Sequence, residues 1–109
     1  MSTVPKQLRA VRQAIVRIAR ANRAESLALF GSYARGEAKA ESDIDFLVSF
    51  APGATLFDHA RLEAELSELL GTRVDVVSSA VLKDDAFGRQ VRQEAIALSF
   101  LKRSSRARA

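Results

Sequence analysis

Residues 26–50 read SLALFGSYARGEAKAESDIDFLVSF, in which two short apolar runs are separated by a polar segment that starts with glycine. The first run, Ser26-Leu27-Ala28-Leu29-Phe30, stops at Gly31 and is typical of a buried strand. The second run, from Ile44 to Phe50, ends at the turn signal Ala51-Pro52-Gly53 and is typical of a second strand. The polar segment after Gly31 predicts a short helical turn.

Three helices and one more strand are predicted outside this stretch. The predicted helices cover residues 5–22, 55–70 and 84–101, and the strand is Val74-Asp75-Val76-Val77. Each helix carries apolar residues at helical spacing, and Gly71 is a good stop for the second one. The order helix, strand, strand, helix, strand, helix predicts an α/β fold of the α+β type, with a small mixed sheet of three or more strands flanked by helices.

The length of 109 residues predicts one domain, which we expect to span residues 1–101. The composition, 48% hydrophobic and 28% charged, is that of a globular protein. There are no cysteines, so disulfide frameworks and cysteine zinc sites are excluded. No segment is apolar enough to span a membrane, and the first residues do not resemble a secretory signal. These features predict a cytoplasmic protein.

The net charge of +4 comes entirely from the end of the chain. Lys102, Arg103, Arg106 and Arg108 supply it, and the other residues sum to zero. Residues 102–109 are expected to be a flexible, solvated basic tail. The charge therefore does not indicate nucleic-acid binding.

Gly31 and Ser32 stand directly after the first predicted strand. A glycine lets the backbone turn sharply, and amides at the start of a following helix attract phosphate. The Ser32 hydroxyl can donate a hydrogen bond to a phosphate oxygen. Gly-Ser is also a common turn, so the pair indicates a phosphate cradle only in combination with other features.

Asp43 and Asp45 open the second predicted strand. Residues two apart in a strand point to the same face, so these carboxylates are expected about 6.6 Å apart along one edge of the sheet. Close like charges raise a pKa unless a cation lies between them, and Mg²⁺ prefers carboxylate oxygens together with substrate phosphates. The pair predicts a magnesium site. The alternative is that Asp43 caps the loop and only Asp45 is unusual.

Asp75 is a lone carboxylate inside the apolar third strand. Burying it unpaired is costly, so it requires a metal, a hydrogen-bond network or a basic partner. If the third strand lies beside the second, Asp75 joins Asp43 and Asp45 in a cluster of three carboxylates. Such a cluster can hold two metal ions.

The combined pattern resembles a known signature. Gly31-Ser32, ten intervening residues, Asp43-x-Asp45 and a later strand aspartate are similar to the motif of the polymerase-beta nucleotidyltransferase superfamily. The fuller strings, GSYARG at 31–36 and SDIDFLV at 42–48, resemble the minimal nucleotidyltransferases, the branch that includes the MntA-type antitoxins. The resemblance runs from about residue 8 to residue 100. It implies the polymerase-beta nucleotidyltransferase fold.

The resemblance also implies site residues and ligands. The expected catalytic and Mg²⁺-binding residues are Asp43, Asp45 and Asp75, with two ions. The expected nucleotide-binding residues are Gly31, Ser32 and Arg35, with ATP as the substrate. Arg35 could equally pair with Glu41 or with an aspartate of the cluster.

The implied function is that of an antitoxin that transfers AMP from ATP to a tyrosine hydroxyl of a HEPN-family toxin. A chain of this length is expected to hold only the nucleotide-activating half of the reaction, so a separate protein in a hetero-oligomer would supply the acceptor. One alternative is a non-catalytic antitoxin that neutralises its toxin by binding alone. Another is a nucleotidyltransferase that acts on a small molecule.

Overall fold

The computed structural model describes residues 4–39 and 41–100, with residues 99 and 100 described by their backbone alone. It contains a four-stranded sheet with helices packed against it. In chain order the elements are α1 (Lys6–Arg9), α2 (Arg12–Ala21), β1 (Ala24–Phe30), α3 (Ser32–Arg35), β2 (Ile44–Phe50), α4 (Leu56–Leu70), β3 (Val74–Ser78), α5 (Ala86–Glu94) and β4 (Ile96–Phe100). A short 3-10 helix, Ser79–Val81, follows β3.

The sheet is mixed, with the strand order β3-β2-β1-β4. Strand β1 runs antiparallel to both β2 and β4, whereas β3 runs parallel to β2. Parallel neighbours need a long crossover, and α4 supplies it between β2 and β3. The predicted fold class, a small mixed sheet flanked by helices, is therefore confirmed.

The hydrophobic core lies on one face of the sheet. On β2, Ile44, Phe46 and Val48 are at most 3% exposed and alternate with half-buried residues. Helices α2 and α4 pack over this face. Their fully buried side chains are Ile15, Ala19, Leu62 and Leu66. Because strand side chains alternate, burying this set turns Asp45 to the opposite face of the sheet.

Helix α4 also holds the outer edge of β3 through three polar side chains on one of its sides. His59 donates from Nε2 to the carbonyl oxygen of Val76 over 2.8 Å. Glu63 accepts from the Val76 amide over 2.8 Å, and Ser67 accepts from the Val74 amide over 3.1 Å. Backbone groups of an edge strand that would otherwise be open to another chain are thus paired within the molecule. The contacts also fix β3 relative to α4.

The prediction of a final helix over residues 84–101 is wrong in its second half. Helix α5 ends at Glu94, and Ala95 adopts an extended conformation with ψ of 133°. Strand β4 follows and pairs antiparallel with β1. Its Ile96 and Leu98 are buried on either side of exposed Ala97, which is a period of two. A short apolar segment fits both periods, and the open edge of β1 selects the strand.

Two other boundaries differ from the sequence-based prediction or fall outside the structure. The helix predicted over residues 5–22 is divided into α1 and α2, because Val11 leaves the helical region with φ of −115° and ψ of 15°. The predicted tail, 102–109, lies outside the described residues. Within residues 4–39 and 41–100, no helix combines the length and the apolar character needed to cross a membrane.

The start of α4 is stabilised by a buried carboxylate. Thr55 and Asp58 form a reciprocal capping box, in which the Thr55 amide donates to Asp58 Oδ2 over 2.8 Å. Arg61 Nη1 lies 3.3 Å from Asp58 Oδ1, and Arg23 Nε lies 3.8 Å from Asp58 Oδ2. The hydrogen bond from the Thr55 backbone, followed by the charge of Arg23, holds the pKa of Asp58 below its usual value against the opposing effect of burial.

We expect Asp58→Asn to weaken the fold at neutral pH and to reduce its acid sensitivity. A carboxyl whose pKa is lowered by folding contributes stability above its unfolded-state pKa, and this contribution is lost as the pH falls from about 4 through the folded-state pKa. Urea unfolding at a series of pH values measures the effect. Glu68→Gln, on the exposed side of the same helix, is the control. Equal free energies of unfolding for Asp58→Asn and the wild type at pH 7 would contradict this account.

Candidate active site

Asp43 and Asp45 flank the start of β2. Ile44 lies between them and is 3% exposed in the core, so the two aspartates point away from it. Asp43 retains 41% of its side-chain exposure. The structure therefore brings these two side chains to one end of the sheet, as expected from their spacing.

Asp75 stands on the neighbouring strand at the same level. In the parallel pairing of β2 with β3, Asp45 is opposite Asp75 and Ile44 is opposite Val74. Neighbouring strands are about 4.8 Å apart, so the Asp45 and Asp75 side chains leave the same face of the sheet side by side. The cluster of three aspartates required the third strand to lie beside the second, and the structure shows that pairing. The three predicted aspartates lie at one end of one sheet face.

Gly31 lies against Asp45. Phe30, the last residue of β1, pairs with Asp45 across the antiparallel ladder, and the chain then turns at Gly31 with φ of 77° and ψ of −155°. A Cβ atom at this position would collide with Oδ2 of Asp45 and would lie 3.2 Å from its Cγ. Glycine is therefore required both by the backbone conformation and by the space. The turn leads directly into α3, whose first residue is Ser32.

Arg35 closes α3 and is held by two glutamates. Its Nε donates to Glu37 Oε1 over 2.9 Å, and its Nη1 donates to Glu94 Oε1 of α5 over 3.1 Å. The hydrogen bond to Glu37, together with the charge of Glu94, raises the pKa of Arg35. Its partners are thus different from Glu41 and the aspartates that the sequence suggested. Its positive charge nevertheless acts on Asp45, where it opposes the rise in pKa that burial and the neighbouring carboxylates cause.

Arg73 is a site residue that sequence reasoning missed. Its Nε lies 3.8 Å from Asp43 Oδ2 and 3.7 Å from Asp75 Oδ1. The available signal was its position two residues before Asp75, which places both side chains on the same side of the extended chain. The guanidinium links one carboxylate of β3 with one at the start of β2.

The electrostatics of the cluster favour a cation. Burial, then the charges of Asp75 and Asp43, raise the pKa of Asp45, against the opposing charge of Arg35. The donors are carboxylate oxygens, which suit Mg²⁺. Within residues 4–39 and 41–100, however, no three Asp, Glu, His or Cys side chains stand close enough to hold one ion as they are. The donor set fits a divalent cation in its chemistry, and two of its carboxylates, Asp43 and Asp75, also contact Arg73.

Comparison with known proteins assigns this arrangement to a family. The sequence model of the nucleotidyltransferase domain family matches residues 8–101 of this chain. A relative from Thermococcus cleftensis, the protein adenylyltransferase MntA, is 49% identical over 57 residues, which are 52% of this chain and 58% of the relative. The chain thus spans little more than half the length of that protein.

Solved structures show the same fold. One, of a candidate minimal nucleotidyltransferase, is 47% identical, with a TM-score of 0.75 over 84% of this chain and 92% of that one. A second, a toxin-antitoxin structure with AMP-PNP, is 26% identical, with a TM-score of 0.69 over 82% of this chain and 73% of that one. The resemblance indicated by the motif is confirmed, and the chain belongs to the nucleotidyltransferase domain family.

Proposed function

We propose that this chain is a protein adenylyltransferase that transfers AMP from ATP to a tyrosine hydroxyl of a HEPN-family toxin and thereby acts as its antitoxin. The observation that carries the proposal is the close approach of the Gly31 turn to the Asp45 carboxylate, which itself stands opposite Asp75. The turn that we propose binds phosphate is thus adjacent to a group of acidic residues. Nucleotidyl transfer requires both in one place.

Different residues of the chain would bind the phosphates, hold the metal ions and accept the proton. The amides after Gly31 and the hydroxyl of Ser32 would donate hydrogen bonds to the phosphates of ATP. Asp43, Asp45 and Asp75 would hold two Mg²⁺ ions, which when bound supply charge neutralisation at the phosphates. Asp75 would also accept the proton of the acceptor hydroxyl. The hydroxyl oxygen forms a bond to the α-phosphorus as the bond to the β-phosphate oxygen breaks, and pyrophosphate leaves.

The named relatives support the acceptor class. The Thermococcus cleftensis relative is a protein adenylyltransferase. One structural neighbour, which is 26% identical to this chain, is a toxin-antitoxin structure with an ATP analogue. A protein acceptor fits the open surroundings of the aspartates, because Asp43 and Asp75 keep about two fifths of their side-chain exposure. A large acceptor can therefore approach the site from solvent.

Incubation with the partner toxin and Mg-ATP tests the proposal. The toxin that co-purifies with this chain should gain the mass of AMP on a tyrosine, and Asp43→Asn together with Asp45→Asn should abolish the gain, because the carboxylates that hold the ions are lost. Intact-mass and peptide mass spectrometry measure the modification. A toxin of unchanged mass would contradict the proposal. Neutralisation of the toxin by the double variant would instead favour an antitoxin that acts by binding alone.

We expect Gly31→Ala to lower kcat/KM by on the order of 100-fold, because the new methyl group must displace the Asp45 carboxylate and small displacements of catalytic groups are costly. Gly36→Ala is the matched control. Gly36 also has a positive φ, of 74°, but a Cβ there meets no atom within 4 Å. The control should lose about 1 kcal/mol of stability and keep its activity. Equal activities of the two variants would rule out a special role for the Gly31 contact.

We expect Asp45→Asn to stabilise the metal-free protein at pH 7 while abolishing transfer. A carboxyl whose pKa is raised by folding destabilises the folded chain above that pKa, and the penalty disappears as the pH falls below the unfolded-state value of about 4. Urea unfolding in a chelator measures it. Asp84→Asn, whose side chain is 90% exposed and pairs with Arg89, is the control.

Added Mg²⁺ provides a second readout for Asp45→Asn. At 100 times its Kd, Mg²⁺ should raise the unfolding free energy of the wild type by about 2.7 kcal/mol and leave the variant nearly unchanged. A variant that is less stable than the wild type without metal would show that Asp45 is a structural residue.

A further inference from the structure

Arg73 occupies the space between two of the aspartates. Its Nε is almost equally distant from Asp43 Oδ2, at 3.8 Å, and from Asp75 Oδ1, at 3.7 Å. Both carboxylates belong to the set proposed to hold Mg²⁺. One positive side chain therefore neutralises part of the same negative charge that a metal ion would neutralise.

The backbone fixes Arg73 at this place. The amide of Ile44 donates to the carbonyl oxygen of Arg73 over 3.0 Å, which extends the ladder between β2 and β3 by one bond. Arg73 is thus anchored beside the residue that lies between Asp43 and Asp45. The side chain extends from a defined point of the sheet toward the carboxylates.

The guanidinium itself is loosely held. Its side chain is 74% exposed, and both distances are longer than a hydrogen bond. Contacts of this kind contribute little to stability, so the guanidinium can exchange its partners at small cost. This distinguishes Arg73 from Arg35, which has two hydrogen bonds to glutamates at 2.9 and 3.1 Å.

A divalent cation and the guanidinium compete for the same oxygens. A cation that binds Asp43 and Asp75 must displace the Arg73 guanidinium, because otherwise the two positive charges repel each other at short range. The phosphates of a nucleotide offer the guanidinium another anionic partner, to which arginine can donate two parallel hydrogen bonds. Nucleotide binding would therefore free the carboxylates for the metal.

We propose that Arg73 is the counter-ion of the metal-free site and a positioning residue for the nucleotide, moving from Asp43 and Asp75 to the phosphates as the substrate binds. Metal and nucleotide then bind cooperatively, and a free divalent cation binds weakly. This inference rests on the proposed function, because it takes the site to be one for a nucleoside triphosphate and divalent metal. By linkage, each ligand raises the affinity for the other by the same factor.

Binding of Mn²⁺ tests the inference. We expect Arg73→Gln to bind Mn²⁺ without nucleotide about thirtyfold more tightly than the wild type, the effect of one unit charge on a divalent cation at about 4 Å through water. AMP-PNP should increase the Mn²⁺ affinity of the wild type, and this increase should be about thirtyfold smaller in the variant. Arg73→Lys, which keeps the charge, should restore the wild-type affinity for the free metal. Calorimetry and the electron paramagnetic resonance of free Mn²⁺ measure the affinities.

Arg89→Gln provides the matched control, since Arg89 is an exposed arginine of α5 that pairs with Asp84, and its loss changes the net charge equally. Equal Mn²⁺ affinities for Arg73→Gln and Arg89→Gln would overturn the inference, as would weaker binding in Arg73→Gln. An absence of Mn²⁺ binding in the wild type and in all the variants would overturn the inference too. If Mn²⁺ and AMP-PNP bind cooperatively as expected but the toxin stays unmodified, the role of Arg73 is supported and the proposed acceptor is rejected. The failure of the Arg73 inference and the failure of the proposed function are therefore distinguishable.

Discussion

The parallel pairing of β2 with β3 sets two carboxylates side by side, and much of the molecule is arranged around that pairing. Asp45 faces Asp75 because Ile44 faces Val74, and both apolar residues are buried in the core beneath. A shift of one residue would turn either aspartate into the apolar interior, at a large cost in free energy. The hydrophobic core on one face of the sheet thus holds the Asp45 and Asp75 carboxylates side by side on the other face, where they repel each other.

Helix α4 makes this pairing possible in two ways. It is the crossover that lets β3 run parallel to β2, and its side chains satisfy the outer backbone groups of β3. The edge strand that carries Asp75 is therefore positioned from both sides. The capping box at Thr55 and Asp58 fixes where the helix begins, and through it where His59 and Glu63 meet the strand.

Positive charge around the site is distributed between a fixed and an exchangeable arginine. Arg35 is tied to Glu37 and Glu94 and still acts on Asp45. Arg73 lies between Asp43 and Asp75 without a hydrogen bond to either. Neither arrangement offsets the burial and the repulsion by Asp75 and Asp43 that raise the pKa of Asp45, which is consistent with a site whose carboxylates need a further cation. Sites of this kind commonly sacrifice stability for chemistry.

The sequence by itself determined the strand at Ile44–Phe50, the turn at Gly31 and the helix that ends before Gly71, because these depend on local periodicity and on backbone conformations that favour glycine. It also determined that Asp43 and Asp45 share a face, since a strand alternates strictly.

Only the tertiary structure decided that Ile96–Phe100 is a strand, because a five-residue apolar segment fits either period until the open edge of β1 selects one. It likewise decided the partners of Arg35 and Arg73. A long flexible side chain finds its counter-charge in space, and Glu94 and Asp43 are distant from those arginines along the chain.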